Sequence, residues 1–433
     1  MKYLLVFIFS LLGLSACRNS NHTIHTITPN DFKGSDIERI QTAINTAKET
    51  THTMVIPQRN SNGTNKWIID SAILLPSNLT IILDNCTIQL SDSCRDNMFR
   101  SDNAGIGITN PKWNHNINII GEGNVLLKGA DNPRSTGDDA RTLTLTPDKE
   151  KPWSHDSATN VGRVSYGSDA GKMGLRQKGD WRNMMILIAY TDGFTIKNVK
   201  IENSHAYAIS FERDHNVEVS DIRIYNPETI IVNGVKEETY NKDGIDLRQG
   251  CKYFRITNIT GINGDDLIAL TNLDTYPYHH SNGDISSGQV TSTNWNGSED
   301  DIEQIFINNC QTNFEGVAIR ASGEQSIHDV YINGIITKAR PDMPPPYGGS
   351  RFTVLLGGKG YGKLSLPGSI HNIYAMNLIG DGKSLIKVEA PVANCMFMSG
   401  IYTGNGPAIL YVINKKETKN IQESNIVKVS PNE

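Results

Sequence analysis

The sequence predicts an all-β chain wound as a single-stranded right-handed parallel β-helix, with one short capping helix at its N-terminal end. Three observations predict it. A unit of the form apolar–x–apolar–x–Asn/Asp/Gly–apolar recurs, as in Phe194-Thr-Ile-Lys-Asn198-Val, Val217-Glu-Val-Ser-Asp221-Ile and Phe254-Arg-Ile-Thr-Asn258-Ile. Further copies begin at Ile305, Val330, Ile373 and Met396, with weaker ones at Leu79 and Ile117. Several copies lie 23 or 25 positions apart, the length of one solenoid coil. Asn-Gly and Asp-Gly turns do not fall between most of the strands, as the hairpins of a β-sandwich would require.

In chain order, the first seventeen residues read as a leader. Lys2 supplies positive charge, Leu4 to Leu14 an apolar run too short to span a bilayer, and Leu14-Ser-Ala-Cys17 a small-residue cleavage site. A cysteine in that place resembles a bacterial lipobox. It implies lipid attachment at Cys17, a tether over residues 18–30 and a β-helix domain over 31–433. The expectation is an exported lipoprotein of the bacterial cell envelope, periplasmic or outer-membrane. It would be monomeric and would touch the membrane only through its anchor. A net charge of −5 gives no support to nucleic acid as a partner.

Residues Ile37, Ile40, Ala43, Ile44 and Ala47 follow helical spacing, with Ser35 or Asp36 as N-cap. A lone amphipathic helix ahead of a solenoid can cover the apolar end of its first coil. In the repeat, alternation sends Phe194 and Ile196 inward and Thr195 outward. The recurrent Asn suits a corner that needs a left-handed backbone and a side chain able to bond a neighbouring coil. Polar insertions interrupt the repeat near 131–180, 225–240 and 276–301. The first carries Trp153, His155 and Trp181, and the third Tyr276, Tyr278, His279, His280 and Trp295. Such rings and donors suit a sugar's flat face and hydroxyls. Five cysteines follow Cys17, without zinc-site spacing. Cys86 and Cys94 are near enough to bridge, whereas Cys251, Cys310 and Cys395 read as buried thiols.

The chemistry concentrates between Asn241 and Leu270. Asn241-Lys-Asp-Gly-Ile-Asp-Leu and Gly264-Asp-Asp-Leu-Ile-Ala-Leu place Asp243 and the pair Asp265–Asp266 just before two apolar strands 23 residues apart. Coiling then sets Asp243 and Asp266 on neighbouring rungs, with Asp265 beside them. Carboxylates this close raise at least one pKa, giving an acid beside bases. That is the equipment for cleaving a glycosidic bond. Taken singly, Asp-Gly is also an ordinary turn.

The Asp36–Ala47 helix followed by Val55-Ile-Pro57, Trp181-Arg182-Asn, Asn203-Ser-His and the two aspartate motifs together resemble glycoside hydrolase family 28, the polygalacturonase family. The resemblance implies a hydrolase of pectic polymers that inverts the anomeric centre and uses no cofactor or metal. Asp265 would be the general acid, and Asp243 and Asp266 would hold and deprotonate water. Two departures stand out. The family's Gly-His-Gly segment is missing, with Gly283-Asp284-Ile285 near its place and only His279 and His280 nearby. In Gly316-Val-Ala-Ile-Arg320, one of the family's two carboxylate-gripping cations is gone, and Arg320 stands for either the arginine or the lysine.

Alternation puts Arg248 and Arg320 on one outward face, where two guanidiniums could bind a carboxylate or sulfate. Arg248 could equally pair with Asp246. Glu315 falls on the ladder of Asp243 and Asp266 as a further candidate for the water or substrate site. Two other readings remain: a polysaccharide lyase of this architecture, with Arg248 or Arg320 as base beside a calcium site, and a surface β-helix that binds glycans without turnover.

Overall fold

The computed structural model describes residues 26–131, 184–273, 297–339, 350–358 and 365–429, apart from positions 93, 95, 106, 107, 109, 228, 233, 234 and 239–241. Cys17 and the leader, nearly all of the 131–180 insertion, and His279 and His280 lie outside the described residues. The chain joins the fold earlier than the expected boundary at residue 30. Ile27 bridges Met54, and Pro29 is buried. The cause is the apolar Ile27, which lies against the first coil.

Helix α1, Asp36–Lys48, begins where the sequence places it, and a reciprocal Ser35–Glu38 capping box fixes its start. Its buried stripe of Ile40, Ala43, Ile44 and Ala47 joins the core of the first coils. Beyond it, the described strands form two parallel stacks of 14 and 10 strands. The chain visits them in turn, for example Ile209–Glu212, then His215–Asn226, then Ile245–Leu247, then Lys252–Asn263. From Ile186 onward each coil gives one strand to each wall, the parallel β-helix expected, whereas the earlier coils give the larger stack two. Part of the 225–240 insertion is an antiparallel hairpin of Thr229–Val232 on Val235–Glu238.

The inward residues stack in register through the core. Phe194 pairs with Val217, Val217 with Phe254 and Phe254 with Ile305. Between the walls, the Phe211 ring meets Phe194 at 5.7 Å and Phe254 at 5.1 Å, both edge to face. The corner residues Asn198, Asp221, Asn258 and Asn309 all have φ between 53° and 60°. Their side chains link successive coils, Asn258 donating to Asp221 at 2.9 Å and Asn309 to Asn258 at 2.7 Å. A second ladder of positive φ runs through Asn78, Asn116, Asn216, Asp329, Asn372, Asn394 and Asn420.

One expected register is corrected. Ile373 does not align with Met396: Tyr374 pairs with Met396 and Ala375 with Phe397. Cys395 and Phe397 are the buried residues, and Ser399, at φ 54°, takes the corner instead of Gly400. A thiol and a large ring fill the interior there, leaving the flexible methionines outside. All five described cysteines are buried and none is in a disulfide, so Cys86 and Cys94 are not bridged.

Phe211 is fully buried between two aromatic neighbours. Phe211→Ala is therefore expected to destabilise the fold by about 3–5 kcal/mol in urea unfolding. A loss under about 1 kcal/mol would contradict the packing described.

Candidate active site

Three consecutive strands of the smaller wall build the site: Ile245–Leu247, Asp266–Asn272 and Glu315–Ala321. Ile245 pairs with Ile268 and Ile268 with Val317, so Asp266 faces Glu315 across the ladder. Asp243 stands just before the first strand. Its carbonyl accepts from Ala208 N–H at 3.0 Å, and Gly244 N–H donates to the Asp266 carbonyl at 2.9 Å. No side chain fits at Gly244, because a Cβ there would come within 2.4 Å of the Leu267 carbonyl oxygen. The Asp-Gly pair thus lets two coils close on each other while carrying a carboxylate to the seam. Lys242, fully buried, donates through Nζ to the Ser204 carbonyl one coil back. That contact ties the Asn203-Ser-His segment to Asp243.

Consecutive residues on a strand point to opposite faces, yet Asp265 and Asp266 share a site. The chain bends at Gly264–Asp265 and becomes a strand only at Asp266. Oxygens of Asp265, Asp266 and Glu315 consequently lie within 4.8 Å of one another. Such a trio could ligate one cation, but two guanidiniums already supply positive charge there. Arg320 Nη1 donates to Asp266 Oδ2, and Arg351 Nη1 lies 2.8 Å from Glu315 Oε1. Asp266 Oδ1 has no hydrogen-bond partner.

Arg248 and Arg320 are on one ladder, as expected, but they are not exposed: 5% and 7% of their surface is accessible. The strands around them are buried on both faces, so outward does not mean solvent-facing. Arg248 Nη2 sits 3.3 Å from Asp246 Oδ1, and its guanidinium lies 5.0 Å from the Tyr207 ring. The sequence reading missed Arg351. The structure aligns Phe352 with Glu315 and Asp266, so Arg351 follows Asp265 and Phe314 on the adjoining ladder, a register that no fixed repeat announces. Its guanidinium stands 4.7 Å from the Phe314 ring.

Burial dominates the proton chemistry. Asp243, Asp246, Asp266 and Glu315 are all buried, and Asp265 keeps a partial opening to solvent. Desolvation raises the Asp265 pKa to about 7, with repulsion from Asp266 adding and the Arg320 and Arg351 charges subtracting. Asp246 is raised to about 7, by burial against the opposing pull of Arg248. Glu315 is raised to about 9, by burial and then by Asp266 and Asp265. Asp243 is pushed well above the ordinary range by burial and then by Asp246. The mutual repulsion expected from the sequence is present but second to desolvation.

An acid with a folded pKa of about 7 keeps its proton in the fold, while the unfolded chain, near 3.8, has lost it. Stability from this source is largest below about pH 4 and is lost as pH rises towards 7. Asp246→Asn removes that dependence. Urea unfolding from pH 4 to 7 should show the wild type losing stability relative to the variant. A difference that is flat with pH would contradict the raised Asp246.

Residues 162–331, which include all three aspartates, match the family model of Glycosyl hydrolases family 28. No curated protein matches the chain. Among solved structures, it is similar to a hyperthermoactive exopolygalacturonase from Thermotoga maritima, at 13% identity and TM-score 0.53, covering 93% of this chain and 91% of that one. It is also similar to a polygalacturonase from Erwinia carotovora ssp. carotovora, at 12% identity and TM-score 0.52, covering 93% and 96%. A tailspike protein of E. coli bacteriophage HK620 aligns at 10% identity and TM-score 0.57, covering 94% and 67%. These likenesses establish the right-handed parallel β-helix. With the carboxylates placed on that scaffold, residues 162–331 are a glycoside hydrolase family 28 segment, and the chain is a glycoside hydrolase.

Proposed function

We propose that the chain hydrolyses a pectin-like or other acidic polysaccharide, with Asp265 as general acid. The observation that carries this reading is the raised pKa of Asp265, about 7, on the one carboxyl of the cluster that keeps an opening to solvent. A proton held at neutral pH can pass to the departing glycosidic oxygen. Asp266, with Oδ1 unpartnered beside it, is placed to take a proton from water. Asp243, whose pKa burial raises, can help to orient that water. The polygalacturonases that share the fold favour a pectic substrate.

Family membership favours inversion. A lyase would need a cationic base, and both Arg248 and Arg320 are engaged with carboxylates. The glycan-binding alternative would leave every turnover assay blank.

Asp265→Asn is expected to lower kcat by about 10²–10⁴-fold on a cleaved polysaccharide, and wild-type activity should fall as pH rises through 7. Proton NMR of the first product formed should show the inverted anomer. Full activity in the variant would sink the acid assignment, and a retained anomer would sink inversion. An unsaturated product absorbing in the ultraviolet would point to a lyase.

Export rests on the leader sequence, and we place the lipid on Cys17. Labelled fatty acid should enter the wild-type chain in a bacterial host and be absent from Cys17→Ser. Equal labelling of both would refute the anchor.

A further inference from the structure

We propose that Arg351 is the residue that reads an anionic substituent, carboxylate or sulfate ester, on the bound sugar; the inference builds on the reading of the carboxylate cluster as a glycan site. Among the described residues, three guanidiniums border the carboxylate cluster. Arg248 and Arg320 are buried and closed on Asp246 and Asp266, so neither presents its fork to a ligand. Arg351 differs, with 48% of its side chain accessible. It is flanked on two sides, by Glu315 Oε1 at 2.8 Å, a close contact without hydrogen-bond geometry, and by the Phe314 ring at 4.7 Å.

A guanidinium carries five N–H donors in a fixed plane. Contact with one carboxyl leaves donors directed outward, and holding the plane in advance lowers the entropy lost on binding. Glu315 is the right kind of neighbour. Its pKa of about 9 keeps it neutral at pH 7, so it flanks Arg351 without cancelling the charge. Arg351 also lies close enough to Asp265 to draw its pKa down. An anion held there would sit beside the catalytic acid. Arg351 is outside the family-matched segment, which ends at residue 331. Thus Gly316–Arg320, altered at its cationic positions, keeps its remaining arginine for Asp266, and recognition of the anion moves one coil onward.

The test uses the Asp265→Asn chain, so that turnover does not enter, with and without Arg351→Gln and Arg351→Lys. Affinity is measured by calorimetry for oligogalacturonate against its methyl ester, and for a sulfated galactan oligomer against its desulfated form. The parent chain should prefer one anionic member on the order of tenfold. Arg351→Gln should bring that ratio near one while leaving affinity for the neutral member unchanged, and Arg351→Lys should keep part of it. The pair that shows the preference tells carboxylate from sulfate. No preference in either pair, an unchanged ratio in Arg351→Gln, or equal losses on both members would each overturn the proposal. If Asp265 is intact and nothing is cleaved while the Arg351-dependent preference persists, the hydrolase reading falls and this one stands.

Discussion

The hydrogen bond from Gly244 N–H to the Asp266 carbonyl, 2.9 Å long, joins the coil bearing Asp243 to the coil bearing Asp265 and Asp266. Continuing the same register carries Glu315 onto Asp266 and Phe352 onto Glu315. Parallel strands stack at about 4.8 Å, so acidic residues at equivalent places in successive coils cannot avoid one another. With Asp246 beside them, what in a random coil would be five separate solvated carboxyls becomes one desolvated cluster.

Such a cluster cannot be fully ionised. Three guanidiniums face Asp243, Asp246, Asp265, Asp266 and Glu315, and burial penalises each remaining charge. The structure resolves this by retaining protons, on Glu315 most firmly and on Asp246 and Asp265 near neutrality, while burial also shifts Asp243 upward. Of these, only Asp265 keeps an opening to solvent. The same electrostatics that destabilises the cluster therefore leaves a transferable proton where a glycan can reach it. Glu315 shows the complementary use, as a neutral carboxyl set against Arg351.

Much of this was legible in the sequence, for a definite reason. Inward residues repeat once per coil, so Phe194, Val217 and Phe254 reveal the ladder, and the aspartates 23 residues apart reveal the site. Legibility failed where coil length varies. Between Arg320 and Arg351 the chain runs 31 residues, and no fixed period brings Arg351 back to the seam. It failed again at Cys395, where a thiol substitutes for an aliphatic residue and the alternation can be read one position out. Burial of Arg248 and Arg320 was hidden because alternation tells inward from outward, whereas exposure depends on what covers the outer face. The second corner ladder escaped notice because its Asn residues precede the apolar pair instead of following it.

The central claim is that coiling desolvates these carboxyls enough to keep a proton on Asp265 at neutral pH. Titration of selectively ¹³C-carboxyl-labelled aspartate, followed by NMR with Asp265→Asn for assignment, measures that directly. The account predicts an Asp265 resonance that titrates near pH 7. Titration of Asp265 in the ordinary range, near 3.8, would contradict it.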